Sequence, residues 1–286
     1  MSKTKRWFMI YIPAAILLLI LFLYAENNWI GITAHKVSSE KLPAGFGTYR
    51  IVQLSDLQSK EFGRDQKPLL RKVQKLKPDL IVVTGDLVDS SHYDEKASLT
   101  MMQGALKIAP VYFIRGNHEY AASRYPSLEQ KLIEAGVHVL RNEHTSIELG
   151  DGFIQLVGVD DPLYNRKRDG DAAKIEAHLG VALEGIEHPG AYTILLSHRP
   201  ELFQVYADYG MDLSLSGHAH GGQFRIPFVG GVFAPEQGFW PKYSEGRHQL
   251  GGSEMIISRG LGNSTFPQRL FNRPEIILIE LTETAG

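Results

Sequence analysis

Six short apolar runs, each ending in a polar or glycine-containing segment, most constrain how this 286-residue chain can fold. They read YRIVQLSD, DLIVVTGD, PVYFIRGN, FIQLVGVD, YTILLSH and DLSLSGH. Amphipathic stretches, such as Pro68 to Leu76 and Glu95 to Ile108, lie between several of them. Apolar strands that alternate with helices are typical of α/β proteins, in which the sheets are covered on both faces. The sequence therefore predicts an α/β fold with largely buried sheets.

The composition narrows the classes of partner and of site. Hydrophobic residues make up 43% of the chain, which is enough for a sizeable core. The net charge is -2 and no stretch forms a basic face, so we expect no nucleic-acid partner. The absence of cysteine excludes disulfides and thiolate metal sites. Residues 221–252 are rich in glycine, proline and aromatic residues, which predicts long loops with short strands.

The N-terminus carries a long apolar segment between charged flanks. MSKTKR supplies three basic residues, no charged residue occurs from Trp7 to Tyr24, and Glu26 follows. This run of 18 residues is near the lower limit of about 17–25 for a bilayer span. Basic residues before the run predict a cytoplasmic N-terminus, with the rest of the chain outside the cell membrane.

We therefore divide the chain into a cytoplasmic N-terminus at 1–6, a transmembrane anchor at 7–25, a linker at 26–47 that can include an edge strand, and one domain at 48–286. A cleaved signal peptide is one alternative, although Leu23 before Ala25 fits the small-residue cleavage pattern poorly. A buried core helix is the other. A single-pass anchor is favoured because the apolar run is longer than the core of a usual signal peptide.

Residue types that bind metals stand where the apolar runs end. They are Asp56; Asp86 and Asp89 after Gly85; Asn117, His118 and Glu119 after Gly116; His198; and His218 with His220. Ligands of α/β sheets bind outside the carboxyl ends of the strands, so these residues are expected to converge. Each group alone is more typical of a helix cap or a turn. Together, their oxygen and nitrogen atoms predict a site for divalent ions such as Mn, Fe or Zn.

The order of these groups, D-x-Q, GD-x-x-D, GNHE, H and GHxH, resembles the calcineurin-like metallophosphoesterase superfamily over residues 56–220. The closing segments SRGLGNS and RPEI resemble the membrane-anchored bacterial members of that superfamily. The resemblance implies an αββα sandwich of two facing mixed β-sheets flanked by helices. It also implies a metal site for two divalent ions at the strand ends, where a hydroxide shared by the ions attacks a phosphoester.

The resemblance assigns roles to seven positions of this chain. Asp86 would bridge the two ions, and the other ligands would be Asp56 and His220 for the first ion and Asn117, His198 and His218 for the second. His118 resembles the superfamily's non-ligand histidine, which is placed to protonate the leaving oxygen or to stabilise the transition state. Asp89 or Glu119 would then orient the His118 imidazole, as carboxylates next to such histidines commonly do.

Gln58 departs from the superfamily's pattern, because a histidine that binds the first ion is expected at that position. The amide oxygen of a glutamine can bind a hard cation, but it is a weaker donor than imidazole toward Zn, Fe or Mn. Gln58 would therefore bind through oxygen and favour Mn or Mg, leave its place to water, mark a site that has decayed, or pack without touching metal. The seven retained positions favour an active enzyme.

The function predicted is metal-dependent hydrolysis of a phosphoester, of the phosphodiesterase or pyrophosphatase type. The anchor favours a lipid-linked or envelope substrate outside the membrane. The alternative is a degenerate scaffold that acts as a binding module, and it rests on Gln58 alone. A binuclear hydrolase that cleaves another kind of bond would share the same ligands. The oligomeric state and the native metals stay open.

Overall fold

Two six-stranded sheets face each other behind a long N-terminal helix in the computed structural model, which describes residues 3–162, 170–264 and 266–283. Residues 1–2 of the predicted cytoplasmic segment, and 163–169, 265 and 284–286 of the predicted domain, lie outside the described residues. In chain order the helices are α1 (Lys3–Asn28), α2 (Lys67–Leu76), α3 (Glu95–Leu106), α4 (Asn117–Ala121), α5 (Tyr125–Ala135), α6 (Asp171–Ala182) and α7 (Phe203–Asp208). The strands are β1 (Gly31–Ser38), β2 (Thr48–Leu54), β3 (Leu80–Thr84), β4 (Val111–Ile114), β5 (His138–Val139), β6 (Glu143–Leu149), β7 (Gly152–Gly158), β8 (Tyr192–Leu196), β9 (Leu213–Ser216), β10 (Arg225–Ile226), β11 (Gly230–Gly231), β12 (Phe233–Ala234), β13 (Gly238–Phe239), β14 (Gly246–Leu250), β15 (Ser253–Ile257) and β16 (Glu275–Thr282).

Both six-stranded sheets are mixed. The first has the order β1-β16-β2-β3-β4-β5, with β2 to β5 parallel and β16 antiparallel to β2. The second has the order β14-β15-β9-β8-β7-β6, with β15, β9, β8 and β7 parallel and an antiparallel strand at each edge. The parallel strands of each sheet therefore end along one edge, which is where the predicted site residues stand.

Three apolar clusters define four layers. One lies between the sheets and includes Ile51, Val82, Leu156, Ile194, Leu215 and Ile279. A second joins the outer face of the first sheet to α2, α3 and α5 through Val52, Ile81, Leu69, Met101 and Leu128. A third joins the second sheet to α6 and α7 through Val157, Leu195, Ile175 and Phe203. Neighbouring strand residues such as Ile51 and Val52 point into different clusters, because side chains alternate along a strand. This arrangement confirms the predicted αββα sandwich.

The predicted strands and helices are found where the sequence patterns placed them. All six apolar runs contain a strand, and the two amphipathic stretches are α2 and α3. The loop-rich segment 221–252 contains the two-residue strands β10 to β13 before β14 begins. Residues 26–47, predicted as a linker, hold β1, which pairs in parallel with β16 at the edge of the first sheet.

Helix α1 is long and apolar enough to cross a membrane. Its segment Met9–Asn28 has a mean hydropathy of 2.2, and only 6% of the apolar window is buried against the rest of the chain. A buried core helix, one of the alternatives, is therefore wrong. Some signal sequences are also long and apolar enough to meet this criterion, so the single-pass anchor stays a prediction.

Candidate metal centre

Five strand ends bring the predicted ligands to one place. Asp56, Asp86 and Asn117 follow the neighbouring parallel strands β2, β3 and β4, and His198 and His218 follow β8 and β9 of the facing sheet. Most of these side chains are buried: Asp56, Asp86, His198, His218 and His220 are each at most 4% exposed. The sheet topology thus gathers residues that are far apart in the sequence into a single interior cluster.

The backbone at the centre is held in uncommon conformations. A left-handed φ is found at Asp56 (51°), Gln58 (50°), Asp86 (51°), His218 (66°) and His220 (46°). Such φ values cost free energy in residues other than glycine, and they persist where the surroundings fix them, often at functional sites. Their concentration at the predicted ligands marks this cluster as a functional site.

Glycines allow the backbone to approach the carboxylates. A Cβ added at Gly116 would overlap Oδ1 of Asp86, and one added at Gly217 would overlap Oδ2 of Asp56. The glycines that precede Asn117 and His218 are therefore required by close contact as well as by the turn that leaves the strand.

The ligand atoms form two groups that share Asp86. Asp56, Asp86 and His220 offer ligand atoms within 4.8 Å of one another, and so do Asp86, His198 and His218. We call the first group, together with Gln58, the first half of the centre. We call the second group, together with Asn117, the second half.

The imidazoles of the second half bring two ring nitrogens close together. Nδ1 of His198 donates to the carbonyl of Thr84 at 2.7 Å, and Nε2 of His218 donates to Glu236 at 2.6 Å. In the neutral form of both rings, these partners leave the other two ring nitrogens as lone-pair acceptors, and the two nitrogens lie 3.2 Å apart. Two acceptors at this distance repel each other unless a proton or a metal ion lies between them.

Two amide side chains complete the donor set. Gln58 donates from Nε2 to Oδ2 of Asp86 at 2.9 Å, while its own Oε1 is buried without a hydrogen-bond partner among the residues that the structure describes. Oδ1 of Asn117 is buried and lacks a partner in the same way. A buried acceptor without a partner costs about 1–3 kcal/mol, and a bound cation removes that cost. Carboxylate, amide and imidazole ligands fit Mn, Fe or Zn, so the residues present suit divalent ions.

Comparison with known proteins identifies the family. Residues 49–222 match the model of the calcineurin-like phosphoesterase family. The chain belongs to this family. The metallophosphoesterase YkuE of Bacillus subtilis (strain 168) is 32% identical over 270 residues, which cover 91% of this chain and 88% of that protein. The phosphodiesterase YaeI of Escherichia coli (strain K12) is 29% identical, with 90% of each chain covered.

Two further comparisons concern the anchor and the fold. A transmembrane protein with a metallophosphoesterase domain from Danio rerio is 28% identical, over 87% of this chain and 56% of that protein. The crystal structure of TT1561 from Thermus thermophilus has a TM-score of 0.50 at 13% identity, over 75% of this chain and 90% of that one, and shows the fold alone. By its match to the family model and to the bacterial relatives, the chain is a calcineurin-like metallophosphoesterase, a hydrolase that acts on phosphoester bonds.

The two halves of this metallophosphoesterase centre differ in electrostatics. Burial disfavours a charged His198, but the charge of Asp86 at 3.2 Å outweighs it and raises the pKa of His198 to about 10. Burial disfavours a charged Asp86 as well, and His198 nevertheless holds the pKa of that carboxyl well below its usual range. In the first half, burial lowers the pKa of His220 to about 4 against the attraction of Asp56, and the nearby Arg269 adds to this effect.

His118, in the first turn of α4, lies beside Asp86 and accepts a hydrogen bond from a loop amide. Its Nδ1 accepts from the backbone N–H of Ser90 at 3.0 Å, and the Ser90 hydroxyl lies 3.2 Å from the same atom. The ring proton therefore lies on Nε2, which is 4.0 Å from Oδ2 of Asp86 and points into the centre. The imidazole, 28% exposed, is thus set to donate a proton toward whatever binds there.

The two carboxylates predicted to orient His118 make other contacts. Oδ1 of Asp89 lies 3.8 Å from Nδ1 of His118 and accepts from the backbone N–H groups of Ser91 and His92. Glu119 is buried and accepts from the backbone N–H groups of Asp86, Val88 and Gly116, which fixes the loop after β3. Burial and the nearby Asp86 raise the pKa of Glu119 to about 7. The role predicted for Asp89 stays a prediction.

Three residues at the centre carried no signal that sequence reasoning used. Glu236 contacts His218 from the glycine- and aromatic-rich loop, Arg269 lies 3.5 Å from Nδ1 of His220, and Ser90 holds His118. None of the three ends an apolar run, so the strand-end pattern did not point to them. Burial opposes the charged form of Glu236, but hydrogen bonds and charges from His218 and Arg199 lower its pKa to about 2.

Proposed function

We propose that this chain hydrolyses a phosphodiester or pyrophosphate bond at a centre for two divalent ions that share Asp86. The observation that carries this proposal is that Asp86 belongs to both groups of ligand atoms. A carboxylate common to two such groups has the position required to bridge two ions.

The residues of each half would hold one ion. Asp56, His220 and the amide oxygen of Gln58 would bind the first, and Asn117, His198 and His218 the second. Bound ions of this kind lower the pKa of a water molecule and offset the negative charge that develops on the phosphoryl oxygens. Mn, Fe and Zn all suit these ligands, and Gln58 favours Mn over Zn at the first half because its donor atom is an oxygen.

His118 would supply the proton that the leaving oxygen needs. Its protonated Nε2 points toward Asp86, while Ser90 occupies Nδ1 and fixes the tautomer. As the P–O bond to the leaving group breaks, transfer of the Nε2 proton to that oxygen would avoid release of an unprotonated alkoxide, and the imidazole would then regain its proton from water. His118 is therefore proposed as a general acid that does not bind metal.

The anchor favours a substrate in or near a membrane. We propose that α1 spans the cell membrane once, with the hydrolase domain on the extracytoplasmic side, because basic residues precede the apolar run. A site held near the bilayer favours a lipid-linked or envelope phosphoester. The similarity to a transmembrane protein of Danio rerio supports a membrane location, and the similarity to a phosphodiesterase of Escherichia coli supports cleavage of a phosphodiester.

The test is metal content combined with hydrolysis of bis(4-nitrophenyl) phosphate by the full-length protein in detergent, with Mn added after chelation. We expect two ions per chain and metal-dependent hydrolysis. We expect Asp86→Ala to lose both ions and to lower kcat by at least about 10³-fold. If wild type binds at most one ion and is inert while Gln58→His is active, the site is degenerate and the binding-module alternative replaces the hydrolase.

A further inference from the structure

The loops beside the metal centre expose an unusual amount of apolar surface. Phe228 is fully exposed, and about half or more of the side-chain surface of Val229, Phe239, Phe266 and Phe271 faces solvent. We call these five residues, together with Phe233, the aromatic rim. Soluble proteins seldom expose large contiguous apolar patches, and those that occur often mark a contact surface.

The tip of the rim is a turn made of apolar residues, which are unfavourable in contact with water. The N–H of Val229 donates to the carbonyl of Ile226 at 3.0 Å, which closes a turn with Pro227 and Phe228 at its centre. Phe228 has a φ of 67°, at a turn position where glycine or asparagine is preferred. A phenylalanine there adds backbone strain and exposes its ring without packing on the fold. The free-energy cost of Phe228 at this position is offset only if its ring enters an apolar environment.

The rim is fixed to the end of the proposed anchor. Glu26 in the last turn of α1 is 3% exposed and accepts from the backbone N–H of Asn272 at 3.1 Å and from Nε of Arg273 at 2.9 Å. Oδ1 of Asn27 accepts from the backbone N–H of Arg269 at 2.8 Å. These bonds attach α1 to the segment that carries Phe271, so the depth of the helix in a bilayer also sets the depth of that segment.

One aromatic contact sets the height of the rim relative to the membrane. The rings of Phe22 and Phe271 have centroids 5.6 Å apart, and Phe22 lies inside the uncharged run 7–24. That run is about 27 Å long as a helix, slightly less than the hydrocarbon thickness of about 30 Å. All of the run is therefore needed in the membrane, and Phe271 lies at its surface. Phe271 shares a cavity of about 270 Å³ with Phe228 and Val229, so the tip lies next to the same surface.

An apolar cavity connects the rim with the metal centre. It has a volume of about 300 Å³ and a mostly apolar lining, which includes Phe224, Val232, Phe233, Phe239 and Phe266 together with the polar His220, Gln223 and Ser264. His220 is a proposed ligand of the first ion, so one end of the cavity adjoins the place where a phosphate would bind. Cavities of this size and lining are typical of sites for small apolar groups.

We propose that the aromatic rim contacts the bilayer spanned by α1, and that the apolar cavity receives an alkyl chain of a lipid phosphoester from that bilayer. The chain would enter past Phe239 while the phosphate lies at the two halves of the centre. In the reaction, a water oxygen forms a bond to phosphorus, the P–O bond to the leaving group breaks, and the leaving oxygen takes up a proton. The assignment of the cavity rests on the proposed function, whereas the membrane contact of the rim does not.

The membrane contact can be tested without measuring activity. Because the chain has no cysteine, Phe228→Cys provides a single attachment point for a fluorophore. The control is Val181→Cys, at a 61% exposed position of α6 on the outer face of the second sheet. In the full-length protein in phosphatidylglycerol vesicles, we expect nitroxide-labelled lipid chains to quench the label at 228 and aqueous iodide to quench the label at 181. Equal iodide quenching at both positions would overturn the membrane contact.

The cavity can be tested with two substrates that differ only in one alkyl group. Methyl 4-nitrophenyl phosphate and hexadecyl 4-nitrophenyl phosphate have the same leaving group, and both are offered to the full-length protein in mixed micelles. We expect a higher kcat/KM for the hexadecyl substrate, and we expect Phe239→Asp to lower the hexadecyl-to-methyl ratio by about tenfold. Val181→Asp serves as the control and should leave the ratio unchanged.

The outcomes separate the two proposals. If wild type cleaves both substrates with the same kcat/KM, or if Phe239→Asp leaves the ratio unchanged, the alkyl-chain site is wrong and the hydrolase stands. If neither substrate is cleaved with Mn present, both the proposed function and the cavity assignment are overturned. The quenching experiment decides the membrane contact in every case.

Discussion

The two halves of the metal centre share Asp86 but differ in the groups that stand behind their histidines. In the second half, His198 donates to a backbone carbonyl and His218 donates to the carboxylate of Glu236. The other ring nitrogen of each histidine lies near Asp86 and near its counterpart in the other ring. In the first half, Arg269 approaches Nδ1 of His220 at 3.5 Å with a donor group. The groups around the second half therefore favour cation binding, because a carboxylate contacts His218. In the first half, the positive guanidinium of Arg269 lies next to the only imidazole.

Protons occupy ligand nitrogens in both halves. A donor at Nδ1 of His220 places the ring proton on Nε2, which faces Oδ1 of Asp56 at 3.4 Å. Against the effect of burial, Asp86 raises the pKa of His198 to about 10, so Nε2 of His198 is protonated as well, and an ion in either half would displace a proton. Gln58 gives the first half a neutral amide where an imidazole is expected. We infer that the second half would hold an ion more tightly, and that an ion in the first half would leave first on dilution or chelation.

Arg269 makes this difference larger. Its guanidinium is buried and donates to the carbonyl oxygens of Gly262, Asn272 and Arg259, and no carboxylate lies within ion-pair distance among the residues that the structure describes. Burial lowers the pKa of Arg269 to about 10, so it stays charged at neutral pH. A fixed positive charge weakens cation binding in the first half and favours an anionic group such as phosphate there.

After Asp86→Ala, the largest effect is expected for His118, which belongs to neither half. We expect His118→Gln to lower kcat by about 10²–10⁴-fold while both ions stay bound, because the variant loses the proton donor and no ligand. The loss should be smaller for a 4-nitrophenyl leaving group than for an alkyl one, since nitrophenoxide needs little protonation. Rate measurements with both kinds of ester, together with metal content, check this.

If His118→Gln emptied one half of the centre, that result would make His118 a ligand and require the division into halves to be redrawn. An equal loss for both leaving groups would remove the general-acid role while leaving the ligand assignment intact.

The second half is tested through Glu236. We expect Glu236→Gln to weaken the more tightly held ion by about 10–100-fold, because the acceptor that orients His218 loses its charge. Glu201→Gln is the matched control: Glu201 forms an ion pair with Arg199, as Glu236 does, but among the residues that the structure describes it makes no hydrogen bond to His218. Stepwise metal titration followed by calorimetry measures both affinities. A change confined to the weaker ion would reverse the order proposed for the halves.

The first half is tested through Gln58. We expect Gln58→His to tighten the weaker ion by about tenfold and to shift its preference from Mn toward Zn, because imidazole is the better donor for Zn. Gln58→Ala should weaken the same ion if the amide oxygen is a ligand. If Gln58→Ala binds both ions as wild type does, the glutamine packs beside Asp86 without touching metal.

The sequence predicted the fold and the convergence of the candidate ligands more completely than it predicted their surroundings. Strand ends are visible because an apolar run must stop where the chain leaves the sheet, and the ligands are attached to those points. Glu236, Arg269 and Ser90 lie in irregular loops, where no periodicity relates a residue to the sheet edge. Their roles depend on tertiary contacts that a single sequence does not encode locally.

The same reasoning explains why the sequence points to Asp89 or Glu119 as the partner of His118. A carboxylate near the GD motif is the residue type that usually orients an imidazole. In the fold, however, the loop after β3 turns so that the backbone N–H of Ser90 reaches Nδ1 at 3.0 Å, while Asp89 accepts from the next two amides. A backbone donor has no residue-type preference, so no sequence pattern points to it.

The smallest effect is expected at Ser90. Ser90→Ala removes the hydroxyl that lies 3.2 Å from Nδ1 of His118 but keeps the backbone N–H that fixes the tautomer. A single neutral hydrogen bond contributes about 0.5–1.5 kcal/mol, so we expect kcat to fall by about two- to tenfold with metal content unchanged. Asp89→Asn, measured beside it, decides between the two partners. If Asp89→Asn costs far more than Ser90→Ala, the carboxylate at 3.8 Å closes on His118 during turnover, and the orienting role predicted for Asp89 is correct.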